Sequence, residues 1–284
     1  MRTQHEIDCE YSRWMKNIDA HDDLYEELLQ MDPDSKSEAF CCDMTFGTGG
    51  LRGIIGAGTN RINRFTVSRA SQGLANYITR QFIKDPSIAI AFDSRVNSDI
   101  FSEYAAKVFS ANGIKVYLYH EIMPTPCLSY AVRSLRCSAG IVITASHNPS
   151  EYNGYKVYGS DGCQITTEVA KEIYSEIEKV DFFSGIKYMA NDTAVNCGKV
   201  VYIDPSIYTS FVERVKNQSV LYGDSVDRNI RIVFSPLNGT GKKPVLKVLQ
   251  ETGFTDITLV AEQSEPNGLF PTCPYPNPEE HEAM

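Results

Sequence analysis

The chain has 284 residues, 42% of them hydrophobic, with 36 acidic against 27 basic side chains and a formal net charge of −9. That length buries a sizeable core and suggests about two domains, while the charge repels duplex nucleic acid and anionic membrane surfaces unless a local basic patch overcomes it. No run approaches the ~20 apolar residues of a membrane span, and residues 1–17 hold no apolar core of signal-peptide length, so a cytoplasmic protein is expected, with neither nucleic acid nor membrane as partner.

The eight cysteines (9, 41, 42, 127, 137, 163, 197 and 273) show neither the CxxC pairs of a zinc site nor the density of a secreted disulfide scaffold. They read as reduced thiols, several of them core fillers.

Residues 1–40 look like a helical extension, with Tyr11, Trp14, Ile18, Leu24 and Leu28 at helical spacing and Asp32-Pro33-Asp34 interrupting the pattern. Phe46-Gly47-Thr48-Gly49-Gly50-Leu51-Arg52-Gly53 follows, a glycine-rich loop whose bare amides could approach an anion. It is neither GxGxxG, since Arg52 takes the last place, nor a P-loop. Arg52, Arg61, Arg64 and Arg69 have no Lys, Asp or Glu between them and could hold a small anion; a solvated basic surface explains the last three as well.

From residue 66 the chain alternates. Val67, Ala70, Leu74, Ile78 and Phe82 form a helical stripe, 87–92 (SIAIAF) a strand, 99–111 a helix ended by Asn112-Gly113, and 114–119 (IKVYLY) a strand. A short helix over 127–135 and a strand over 139–144 come next. This spacing predicts an α/β fold, with a mixed, largely parallel sheet sandwiched by helices over 41–203.

A second start lies at 204–284. Asp204 caps a helix with Pro205 at its first position and Tyr208, Phe211, Val212 and Val215 on its apolar face. A strand at 230–234, a turn at 235–241, a helix to 249 and a strand at 257–260 follow. Two strands cannot easily bury their own faces, so this part reads as an incomplete second α/β domain.

In such sheets ligands gather outside the carboxyl ends of the strands. Ser146 lies just past one such end and Asp93-Ser94-Arg95 just past another, so both loops can face one crevice. A loop serine more often caps a turn, and adjacency to His147 is weak evidence, because neighbouring side chains point apart. Asn153-Gly154, however, is a strong two-residue hairpin signal that would fold Lys156 back toward the serine. Partly buried among Tyr152, Tyr155 and Tyr158, that lysine could have a lowered pKa and move protons near neutral pH; alone it would read as a surface residue.

TASHNPSEYNGYKVY, with FGTGGLRG upstream and PYPNPEEHEAM at the end, resembles the α-D-phosphohexomutase superfamily, and within it the phosphoglucomutase/phosphopentomutase branch, from about Phe46 to Met284. The resemblance implies that Ser146 carries a phosphoryl group and gives it to the sugar, that His147 and Asn148 shape the loop and bind phosphate oxygens, and that Lys156 is the general acid/base. It makes Arg52 a phosphoryl contact that balances charge. Asp93 and Arg95, matching the family's D-[ST]-R element, would hold the serine loop, with Asn153 and Gly154 in support. The implied reaction interconverts a sugar 1-phosphate and 6-phosphate through a bisphosphate, with Mg²⁺ on the Ser146 phosphoryl oxygen and glucose 1,6-bisphosphate as primer.

The family's D-x-D-x-D-R metal loop, its sugar-selecting loop and its serine-rich phosphate loop have no counterpart here; Asp32-Pro33-Asp34 is the one D-x-D in the sequence. An N-terminal portion, inactive alone, is therefore expected, acting on glucose phosphate, with pentose or mannose phosphate as alternatives. Two other classes stay open: a non-catalytic sugar-phosphate-binding module, separable by phosphorylation of Ser146, and a serine hydrolase, for which no G-x-S-x-G elbow or third triad member can be assigned.

Overall fold

The computed structural model describes residues 1–81, 84–220, 226–273 and 275–283. Three short helices open the chain: α1 (Gln4–Asn17), α2 (Asp23–Gln30) and α3 (Pro33–Phe40). Each start is capped by a side chain, Thr3 in a capping box, then Asp22 and Asp32, so the Asp32-Pro33 pair begins the third helix as well as ending the second. Trp14 is fully buried, and its ring meets Phe40, Phe65, Phe182 and Phe183 edge-on at 5.5–5.7 Å. The extension is thus sealed against the following domain rather than hanging from it.

The domain proper runs β1 (Leu51–Ile54), α4 (Arg64–Gln81), β2 (Ser87–Phe92), α5 (Ser98–Ala111), β3 (Lys115–Leu118), α6 (Thr125–Ser134), β4 (Ala139–Ile143), β5 (Tyr152–Gly159), α7 (Thr167–Glu178), α8 (Asn191–Asn196) and β6 (Val200–Tyr202). Phe82, the last residue of the expected α4 stripe, lies outside the described residues. The sheet order is β1-β5-β4-β2-β3-β6, parallel from β4 to β6 and antiparallel at the β1-β5-β4 end. β4 is buried at every position, as a strand covered on both faces must be. Its Ile141 and Ile143 enter the core beneath α4, α5 and α7, while Val142 enters the opposite core with Leu128 and Val132 of α6.

Helix α9 (Pro205–Lys216), capped by Asp204, lays Tyr208 and Val212 into that second core, with Phe211 edge-on to Tyr130 at 5.8 Å, while Val215 is exposed. Beyond it β7 (Ile232–Phe234), α10 (Lys242–Glu251) and β8 (Ile257–Leu259) form a two-stranded parallel unit. Its outer face is uncovered among the described residues: Val233 is 74% exposed. No helix among the described residues is long and apolar enough to cross a membrane.

The hairpin expected at Asn153-Gly154 is not there. Both residues lie inside β5, and the turn between β4 and β5 is the serine loop itself, residues 144–151. Gly154 serves a different need: a Cβ would sit 2.5 Å from the Thr144 carbonyl oxygen and 2.9 Å from that of Leu51, so a side chain there collides with both flanking strands. Gly154→Ala should therefore cost roughly 1–3 kcal/mol, the range for an overpacked core site. An unchanged urea midpoint would show that the strands spread to admit the methyl group.

Candidate active site

Ser146 stands exposed on the loop after β4 with φ of 61°, a left-handed conformation costing a serine about 1–2 kcal/mol. The turn is held locally by the Ser146 amide donating to Thr144 Oγ1 at 2.9 Å and the Asn148 amide donating to the Ala145 carbonyl at 3.2 Å. Left-handed backbone also removes the alternation of neighbouring side chains, and Ser146 Oγ lies 3.4 Å from Nδ1 of His147. The adjacency that sequence alone discounts thus becomes a near contact.

Arg95 is the centre of the assembly. It is 3% exposed, and its guanidinium donates to four carbonyl oxygens of the serine loop: Nη1 to Pro149 (2.7 Å) and Tyr152 (3.0 Å), Nη2 to Ser146 (2.9 Å) and Asn148 (2.5 Å). A planar fork with five donors suits this clasp; an ammonium does not. Asp93 lies 3.6 Å from Arg95 Nε and accepts from the Arg95 amide (3.0 Å) and Ser98 Oγ (2.8 Å). Burial raises the Asp93 carboxyl pKa, against hydrogen bonds from Thr144, the Arg95 amide and Ser98. Asn153 is buried and donates to the Val96 carbonyl (3.0 Å) and Ser98 Oγ (2.9 Å), which joins β5 to the Asp93–Ser98 turn.

Strand register places the remaining groups. Opposed residues of an antiparallel pair share a face, so Arg52 (opposite Gly154) and Lys156 (opposite Val142) project from the face that also carries Thr144. Arg52 Nη1 donates to Asn148 Oδ1 at 2.9 Å, reaching the serine loop from the sheet edge. Burial, and then the cations of Arg52 and Arg95, lower the Lys156 pKa, with Asp93 opposing. No hydrogen bond joins Lys156 to Ser146 among the described residues. Tyr155 faces away, fully buried and accepting from Ser71 Oγ at 3.1 Å, so it does not surround the lysine as expected.

The Lys156 shift has a testable sign. Since its folded pKa lies below the ordinary 10.5, the unfolded chain holds this proton longer, and the group adds stability as pH rises through that window up to 10.5. Arg52→Gln should raise the Lys156 pKa by removing a facing cation. Titration of the lysine Cε resonances checks this; an unmoved or lowered value would show that Arg52 is not felt there.

Two expectations fail. The four arginines do not form one anion site: Arg61 pairs with Glu38 at 3.3 Å, Arg64 with Asp22 and Asp23, and Arg69 with Asp43 at 2.6 Å, leaving Arg52 facing the loop. The glycine loop is not an open cradle at its base, because the amides of Gly47 and Gly50 are bonded to each other's carbonyls. Gly50, at φ of 75°, is demanded by β5, for its Cβ would lie 1.8 Å from the Tyr155 oxygen.

A cleft of about 430 Å³ opens beside the serine. Asp93, Ser94, Thr144, Ser146 and His147 bound one side, and Pro236, Leu237, Gly239, Thr240, Gly241 and Phe270 the other; Arg52 and Lys156 lie off this cleft. The two sides are tied together. Ser94 Oγ donates to the Asn238 carbonyl at 2.9 Å, the Phe270 ring lies 5.1 Å from the Arg95 guanidinium, and Gly268 packs on the backbone of 94–96 so closely that a Cβ would fall 2.6 Å from the Val96 nitrogen. Thr144 and Phe270 are among the contributors that sequence reasoning missed. Thr144 has a short-range signal, a hydroxyl two residues before a turn; Phe270 has none, because it meets Arg95 across the fold.

A divalent metal does not fit the described residues. No group of three His, Cys, Asp or Glu converges among them. Asp93, the carboxylate beside the serine loop that lines the crevice, already serves the Arg95 amide and Ser98.

The sheet, the crevice at its carboxyl edge and a strained serine whose loop is clasped by arginine define an α/β protein with one exposed hydroxyl at the edge of that crevice. Family models identify it further: the phosphoglucomutase/phosphomannomutase alpha/beta/alpha domain I matches residues 43–184 and domain II residues 209–284, so the chain belongs to the phosphoglucomutase/phosphomannomutase family. Among curated proteins, a phosphoglucomutase of Staphylococcus saprophyticus is 35% identical over 95% of this chain and 48% of its own length. One of Staphylococcus aureus is 36% identical over 93% and 47%. A solved structure of a phosphoglucomutase/phosphomannomutase family protein from Burkholderia thailandensis shares the fold with a TM-score of 0.63 at 20% identity, over 84% of this chain and 46% of that one. The chain spans about half the length of the curated relatives it matches.

Proposed function

We propose that this chain is the phosphoserine-bearing part of a phosphosugar mutase, an isomerase that interconverts sugar 1-phosphate and 6-phosphate. The observation that carries the reading is the geometry of Ser146: an exposed hydroxyl, locked left-handed at the mouth of the cleft, with Arg95 fixing the loop from behind and Arg52 anchored to it through Asn148. A phosphoryl group on Ser146 would pass to a sugar hydroxyl as the Oγ–P bond breaks and the new O–P bond forms. Returning the opposite phosphate restores the phosphoserine.

Loose phosphoryl transition states need cations at the equatorial oxygens and fixed positions for donor and acceptor. Arg52 would supply charge, His147 and Asn148 hydrogen bonds, and Lys156, with its lowered pKa, would carry the sugar hydroxyl proton. The names of the relatives favour glucose phosphate, ahead of pentose and mannose phosphates. In the whole protein, Mg²⁺ would supply further charge at the phosphoryl group and glucose 1,6-bisphosphate would prime the serine. A cytoplasmic location belongs to the proposal too.

Residues 1–284 alone should show little or no conversion of glucose 1-phosphate to glucose 6-phosphate with Mg²⁺ and bisphosphate primer, because the described residues hold no metal cluster near the serine. Robust, saturable turnover would overturn that expectation. Intact mass tests the reading itself: one added phosphoryl on the chain, absent in Ser146→Ala, supports phosphotransfer. Sugar-phosphate binding with no phosphoryl ever gained would support a binding module instead.

A further inference from the structure

Cys41 and Cys42 follow helix α3 and have no part in the reaction proposed above. Their Sγ atoms lie 3.8 Å apart, and both side chains are partly exposed. Among the described residues no other two thiols are in contact. Cys127, Cys137 and Cys273 are buried, and Cys9, Cys163 and Cys197 are exposed singly. Two sulfurs bonded at about 2.3 Å to one soft centre can stand no more than about 4.6 Å apart, and this pair is already within that reach.

What the pair cannot do narrows the occupant. A structural zinc site needs four protein ligands and a catalytic one three, and no group of three His, Cys, Asp or Glu converges among the described residues. The following carboxylate, Asp43, is taken by Arg2 on one oxygen and by Arg69, at 2.6 Å, on the other. Burial and the neighbouring Cys41 raise the Cys42 pKa, which keeps that thiol protonated and a poor nucleophile toward peroxide. Adjacency also fixes the two Cα atoms about 3.8 Å apart, below the usual range for a disulfide.

We propose that Cys41 and Cys42 form a vicinal dithiol site for a soft thiophilic centre that needs two sulfur ligands, of which a trivalent organoarsenical is the type. With an arylarsenic(III) oxide, two As–S bonds form and the As=O oxygen leaves as water with both thiol protons; arsenic stays trivalent. The site lies at the entry to the active domain. Cys41 accepts from the Arg2 amide at 2.7 Å and Cys42 from Thr59 Oγ1 at 2.7 Å, both through backbone carbonyls. Met44, two residues on, packs against Gly53 beside Arg52.

Phenylarsine oxide added to the native chain tests this. One adduct per chain is expected, with loss of two thiols to a chromogenic disulfide reagent, release by a small dithiol but not by a monothiol, and the adduct mapped to the peptide containing residues 41 and 42. Cys41→Ser and Cys42→Ser should each abolish uptake at equimolar reagent, and Cys9→Ser should leave it unchanged. No adduct on the wild-type chain, or an adduct mapped to any other peptide, overturns the proposal. The mapping uses the unmodified sequence and so holds even if a serine variant folds poorly.

Discussion

Arg95→Met is expected to lower stability by about 3–5 kcal/mol, a large share of the roughly 5–15 kcal/mol available to a domain. Methionine fills similar space but leaves the carbonyls of Ser146, Asn148, Pro149 and Tyr152 without donors and Asp93 without its facing cation. Arg95→Lys should recover part of that loss, since one ammonium keeps the charge but cannot span four acceptors. Urea unfolding of the two variants measures this. A midpoint change worth under about 1 kcal/mol for Arg95→Met would mean the loop holds its shape without the clasp.

Ser146→Gly should give two results of opposite sign. Glycine accepts φ of 61° freely, so the chain should gain about 1 kcal/mol once its greater unfolded-state freedom is subtracted. On the proposed function, phosphoryl incorporation should fall to nothing, because the accepting hydroxyl is gone. Ser146→Ala should lose incorporation equally without the gain in stability. If glycine destabilised the chain, the left-handed turn would be a product of the serine's own contacts rather than a strain imposed on it.

The sequence exposes the serine, its strand-end position and the paired Asp93-Arg95 turn because all three follow from short-range pattern: an apolar strand, then a polar break. Lys156 shares a sheet face with Arg52 and Thr144, but for another reason than the one sequence suggests. Asn-Gly is a strong local hairpin signal, yet Gly154 is set by two neighbouring backbones that leave no room for a Cβ, and such crowding has no trace in adjacent residues. The arginine run misleads for a related reason. Its neutralising carboxylates come from positions 22, 23, 38 and 43, brought near by helices that precede the domain. The outer strand β6 and helix α8 are three and six residues long, too short for periodicity to declare.

Phe270 and Gly268 belong to the second α/β unit, yet they rest on the arginine that orders the serine loop. Swinging that unit outward to widen the cleft would strip the ring from Arg95 and free the 94–96 backbone in the same movement. A ligand that needed the unit to swing outward would therefore also loosen the contacts behind the serine loop.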